Sequence, residues 1–238
     1  MSLYRDEGVV LRTMRLGEAD RIVTLVTRGH GKVRAVAKGV RRTTSKFGGR
    51  LEPLSHVAML CWQGRELDVV NQAEVLDSFR VVREDLHRVS KAFTLLEVVD
   101  QLSQEHHANP RLYEMLVGAL RALSDADAAA LVPAFLLKAL ALDGAAPVVD
   151  RCVSCGDPEG LVAFDFAEGG VLCRSCRRGR SVSPEAIDVL RRILGGRLVE
   201  ALQLPGGALT YEVGALATEA MELHLDRRIR SAHVSTTG

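Results

Sequence analysis

The sequence predicts an α+β protein built in several parts: a small N-terminal β-barrel, an α-helical body, and a four-cysteine module inserted before the last helices. Three observations predict it. Up to about residue 80, short β-rich runs alternate with turn signals. From about Glu84 apolar residues recur at three- and four-residue steps. Two C-x2-C pairs then stand seventeen residues apart. The 238 residues, 47% hydrophobic and 26% charged, exclude wholesale disorder and suffice for a sizeable core.

Five strands are expected: Gly8–Thr13, Arg21–Thr27, Lys32–Lys38, His56–Trp62 and Leu67–Val75. Turn signals separate them at Gly17-Glu18, Arg28–Gly31, Gly48-Gly49 and Gln63-Gly64. So many strands in so short a span suit a barrel of OB or SH3-like type. The aromatics of this region are Tyr4, Phe47, Trp62 and Phe79. Phe47 stands in a basic loop and is expected at the surface; the other three fall in apolar runs and are expected in the core.

Leu86, Val89, Phe93, Leu96, Val99 and Leu102 then define one face of a helix. Asn109-Pro110 supplies an N-cap and a first-turn proline for a second, carrying Leu112, Leu116 and Leu120. A third runs from about Asp127 to Leu142, where Pro133 kinks it or delays its start. Ser183-Pro184-Glu185 opens a fourth that stops at Gly195-Gly196, and a last one spans about Tyr211 to Ile229 before a loose tail from Ser231. The expected division is a barrel over 1–80, a helical domain over 81–150, the cysteine module over 151–180, and C-terminal helices over 181–238 packing on the helical domain.

Cys152, Cys155, Cys173 and Cys176 form the two pairs. Each pair places two thiolates on one tight turn, and two such turns close a tetrahedron around one structural Zn2+. Four thiolates leave no open coordination position, so the expected ion is not hydrolytic. Two disulfides are the alternative, disfavoured for a chain expected in the reducing cytoplasm. Cys61 lies in a strand-like run and is expected to be a buried apolar residue.

The net charge of +1 hides an asymmetry. Residues 1–50 hold twelve Lys/Arg against four Asp/Glu, or +8; residues 51–150 hold eight against fifteen, or −7; the remainder balances eleven against eleven. From Arg28 to Arg50 eight cations occur without an acid: Arg28, Lys32, Arg34, Lys38, Arg41, Arg42, Lys46 and Arg50. Strand alternation puts Lys32, Arg34, Val36 and Lys38 on one face, continuous with the loop that follows. That pattern suits phosphates. The few rings argue for backbone-dominated binding with weak sequence preference.

No phosphate-loop, dinucleotide, metalloprotease or nucleophile-elbow motif occurs, so no enzyme is expected. Charges at Arg5, Asp6 and Glu7 exclude a secretory h-region, and Ala128–Leu142 is too short to span a bilayer. A cytoplasmic protein without a membrane segment is expected.

The chain resembles the RecO family of bacterial recombination mediators and annealing proteins. The resemblance rests on Glu18-Ala-Asp-Arg-Ile-Val-Thr-Leu25, Ala37-Lys-Gly-Val-Arg41, Leu51-Glu-Pro-Leu54 and the two cysteine pairs with Gly156, in that order along most of the chain. It implies an N-terminal OB-type barrel, a helical domain and a zinc-binding element. It further implies binding of single- and double-stranded DNA, strand annealing, and association with RecR to help RecA displace single-strand binding protein, in the nucleoid. Lys32, Arg34, Lys38, Arg41 and Arg42 become DNA-contact candidates on this basis. Arg177, Arg178 and Arg180 would extend the track if the zinc element faces the barrel. The other readings of the residues are an RNA-binding barrel with a zinc ribbon and a metal-dependent nuclease.

Overall fold

The computed structural model describes residues 2–234, and the side chains of 2–232. Two compact units divide the chain, Met1–Asp125 and Ala126–Gly238.

The first unit is built on β1 (Leu3–Leu16), β2 (Asp20–Thr27), β3 (Gly31–Ala37), β4 (His56–Trp62) and β5 (Asp68–Asp77). They close into a barrel in the order β1-β2-β3-β5-β4, with β3 and β5 parallel and β1 sealing against β4. All five expected strands are present, and β1 runs eight residues longer than its β-rich segment. It can serve two partners because a bulge between Val10 and Arg12 bends it from β4 onto β2. Inward-facing alternates, among them Val23, Leu25, Val33, Ala35, Val57, Met59, Cys61 and Val70, fill the interior.

Two aromatic expectations are reversed. Phe47 is 1% exposed and packs in the barrel core with Leu51, so the basic loop is pinned by its only ring. Trp62, by contrast, is 39% exposed at the end of β4. Alternation explains it: Cys61 points inward, which turns Trp62 outward. Tyr4 is half-buried, and Phe79 lies in the core as expected.

Short α1 (Arg80–Arg83) leads to α2 (Leu86–Leu102), whose N-cap Asp85 accepts from the backbone N–H groups of His87 and Arg88. In α3 (Pro110–Asp125), the Asn109 side chain accepts from Leu112 N–H. These helices pack on each other and on the barrel, α2 along β1 and α3 along β2. Buried Tyr113 of α3 meets His56 of β4 across 2.7 Å.

The second unit contains α4 (Leu131–Leu142), the three-stranded sheet β7-β6-β8 and four further helices. Its strands are β6 (Leu161–Asp165), β7 (Gly170–Cys173) and β8 (Arg180–Ser181). Its helices are α5 (Pro184–Leu194), α6 (Leu198–Leu202), α7 (Ala208–His224) and α8 (Arg230–Val234). Pro133 sits in the first turn of α4, which starts at Leu131 and not at the expected Asp127. α4 is apolar nearly all round because α5, α6 and α7 surround it. α7 ends at His224, five residues before the expected Ile229, where Asp226 takes a positive φ of 48°. Ser231–Val234, expected to be loose, continues a short helix; residues 235–238 of that tail lie outside the described residues. Of the helical span 81–150, α2 and α3 fall in the first unit and α4 in the second. Among the described residues no helix is long and apolar enough to cross a membrane.

Candidate nucleic-acid interface and metal centre

β3 alternates strictly between buried and half-buried positions, so Lys32, Arg34 and Val36 do share the outer face. Their surroundings were not readable from sequence. The chain after α2 lies across this strand: Lys32 N–H donates to Gln104 O at 3.0 Å and His106 N–H to Lys32 O at 3.3 Å. The approach is so close that a Cβ on Gly31, which has φ 70°, would meet His107 O at 2.2 Å. Lys32 Nζ donates to the carbonyl of Asp100 at 2.5 Å and lies 3.4 Å from its carboxylate, which also receives Arg12 Nε at 2.6 Å. Arg34 pairs with Glu105 at 3.7 Å and Arg28 with Glu114 at 3.1 Å. Carboxylates from α2, α3 and the chain between them therefore already engage three of the eight cations.

The other five remain together. Lys38, Arg41, Arg42, Lys46 and Arg50 are all exposed, and no ion pair among the described residues involves any of them. Their hydrogen bonds run to carbonyls: Arg41 to Gly17 and Glu18, Lys46 to Asn71 at 2.7 Å, Arg50 to Lys46. Phe47, Leu51 and Leu54 hold the loop from beneath. The result is a positive surface fixed by backbone contacts, its five cations in no ion pair among the described residues, with the Asp20 carboxylate accepting from Gly39 N–H at its edge. Of the three later arginines, Arg178 pairs with Asp165 at 2.7 Å and Glu168 at 3.2 Å, Arg180 pairs with Glu219 at 2.9 Å, and Arg177 donates to Ser181 Oγ at 2.8 Å.

In the second unit the sulfurs of Cys152, Cys155, Cys173 and Cys176 lie within 4.8 Å of one another. Cys155 Sγ and Cys173 Sγ are 3.7 Å apart, far beyond a disulfide bond. A tetrahedral ion with metal–sulfur bonds of about 2.3 Å requires sulfurs about 3.8 Å apart, so the four side chains fit one ion. The first turn is closed by Gly156 N–H donating to Cys152 O at 2.9 Å, with Gly156 at φ 82°. The second begins where β7 ends at Cys173 and runs through a 3-10 turn, Arg174–Cys176. Burial raises the Cys152 thiol, but N–H donors of Cys173, Cys155 and Ser154 outweigh it and bring the pKa down to about 6. For Cys155 the N–H of Asp157 lowers the value, yet the three neighbouring thiols push it up to about 12. Crowded sulfurs cannot all ionise unaided, and a divalent cation is the charge that lets them. Cys61 is fully buried in the barrel, its thiol pushed up to about 12 by burial and then by Asp68, as befits an inert core residue.

Two family models match the chain: Recombination protein O N terminal over residues 1–79, and Recombination protein O C terminal over residues 83–233. A curated relative from Bifidobacterium longum (strain DJO10A), described as DNA repair protein RecO, is 42% identical over 237 residues, covering 97% of this chain and 98% of its own.

Proposed function

The chain belongs to the RecO family of DNA repair proteins, and from that premise we propose that it binds single- and double-stranded DNA, anneals complementary strands and, with RecR, helps load RecA onto DNA coated with single-strand binding protein. It acts in the cytoplasm at the nucleoid and catalyses no bond chemistry. The observation that carries the DNA reading is the exposed loop bearing Lys38, Arg41, Arg42, Lys46 and Arg50 without a carboxylate partner. Phosphates bound there release counterions, and two strands held by their backbones repel each other less while their bases stay available to pair. Lys32, Arg34 and Arg28 contribute less, because each leaves a carboxylate to meet a phosphate. The same holds for Arg178 and Arg180.

Cys152, Cys155, Cys173 and Cys176 hold one Zn2+ in this reading. The ion supplies folding energy to the second unit.

A strand-annealing assay tests the function. Lys38→Ala/Arg42→Ala is the informative double variant, since Arg41 also braces the β1–β2 turn. Annealing should slow by more than about tenfold, and the slope of log K against log salt on single strands should shrink by about 1.4, two phosphates' worth. Annealing at the unaltered rate would overturn the assignment of the loop.

A further inference from the structure

An exposed apolar row crosses the barrel beside the cationic loop. Strand pairing sets Leu3, Trp62, Val69 and Val36 side by side in one row across β1, β4, β5 and β3. Their inward neighbours Cys61, Val70, Ala35 and Ala37 are core, so the row faces outward. Leu3 is 45% and Trp62 39% exposed, while Val69 and Val36 are half-buried. At the strand spacing of ~4.8 Å the row is about 14 Å long.

The surroundings say what this row suits. Lys38 follows Val36 by two residues, and Lys46 is held onto Asn71 of β5, two residues from Val69. The cationic loop thus borders the β3–β5 end of the apolar row. On its other side lies the next outward row, Arg5, Leu60 and Gln72, which lines a groove of about 580 Å³. Farther along, Glu7 and Glu74 line the same groove and repel phosphate. Trp62 is also held in place rather than loose. Gln63 N–H donates to Ser2 O at 2.8 Å, and Gly64 N–H to the buried Asp68 carboxylate at 2.8 Å. A flat aromatic face bordered by cations on one edge is the chemistry of base stacking next to a phosphate track.

We infer that Trp62, on the outer apolar row of the barrel, is a stacking platform for a base of single-stranded nucleic acid whose phosphates run over the Lys38–Arg50 loop. This rests on the DNA-binding reading and deepens it, because a ring that engages an unpaired base distinguishes single strands from duplex. The neighbouring apolar positions offer contact area but no second ring, so one base is engaged and the rest stay free to pair.

Trp62 is the only tryptophan in the chain, which makes its emission a report on this position alone. The test uses the full chain with an oligothymidylate of about 16 nucleotides and an abasic chain of equal length at matched salt, binding being followed by anisotropy of an end label. Expected is quenching of tryptophan emission by the oligothymidylate and none by the abasic chain, although both bind. Trp62→Leu should weaken oligothymidylate binding about tenfold and duplex binding less than about twofold, while Trp62→Phe restores most of the single-strand affinity. Binding of the oligothymidylate without quenching, equal quenching by the abasic chain, or unchanged affinity in Trp62→Leu overturns the stacking role and leaves the loop assignment standing. Failure of the abasic chain alone to bind overturns the loop assignment, and failure of both chains to bind overturns both readings.

Discussion

At the scale of single residues, identity of charge conceals difference of role. Lys32 and Lys38 belong to one cationic run, yet Lys32 is 16% exposed at its side chain and bound to Asp100, whereas Lys38 is exposed. Lys32→Ala takes the charged donor from the Asp100 carbonyl and leaves the Asp100 carboxylate to Arg12 alone, and should lower stability of the first unit by about 1–2 kcal/mol in urea unfolding; Lys38→Ala should leave the midpoint unchanged. Equal midpoints for the two variants would contradict the distinction. His56 gives a pH signature. Burial penalises its charged form and lowers its pKa; Arg121 adds to this, while Glu7 and Asp77 oppose it. The unfolded chain takes up a proton below about pH 6.5 before the folded chain does. Stability is therefore full above that pH and falls as the pH drops toward the folded value. Urea midpoints measured between about pH 7.5 and 5.5 should slope downward on acidification, and less steeply in His56→Gln. The same slope in both proteins would remove His56 from the account.

At the scale of elements, the loop between β3 and β4 depends on what lies beneath it. Phe47 is core, so Phe47→Ala opens a cavity and should cost about 3–5 kcal/mol. The same change releases the five cations it anchors, and the single-strand salt slope should fall with it; a stable variant with normal salt dependence would show that the loop needs no anchor. The strands of the barrel were legible in the sequence because they are long, β-branched and punctuated by glycine. β6, β7 and β8 were not. They are five, four and two residues long, too short for a period, and two of them flank the cysteine turns. The helices were legible from their apolar stripes, and their ends less so, since a positive φ at Asp226 leaves no mark in a pattern of hydropathy.

At the scale of the whole chain, two units imply two transitions. The cysteine cluster lies in the second, Ala126–Gly238. With zinc bound, chelation should lower the melting of one transition and leave the other in place, and Cys152→Ser should reproduce the effect without chelator. Coincident loss of both would mean that the ion supports the whole chain. The net charge of +1 belongs to this scale as well. It is a cancellation made by contact, in which Asp100, Glu105 and Glu114 of the acidic middle segment sit on Arg12, Lys32, Arg34 and Arg28 of the basic barrel.

What the amino-acid sequence by itself determined is what depends on local spacing: the strand alternation of β3, the two C-x2-C turns that pair the cysteines, the apolar faces of the helices, and an acid-free cationic run. These are properties of neighbours along the chain, set by the two- and 3.6-residue periods. Only the tertiary structure decided which cations stay exposed, because that depends on carboxylates some seventy to ninety positions away that the helices carry onto the barrel. It also decided that Phe47 is inside and Trp62 outside. Local sequence places Phe47 in a polar loop and Trp62 in an apolar run, but a closed barrel has one interior, and strand parity and loop anchoring assign the places in it.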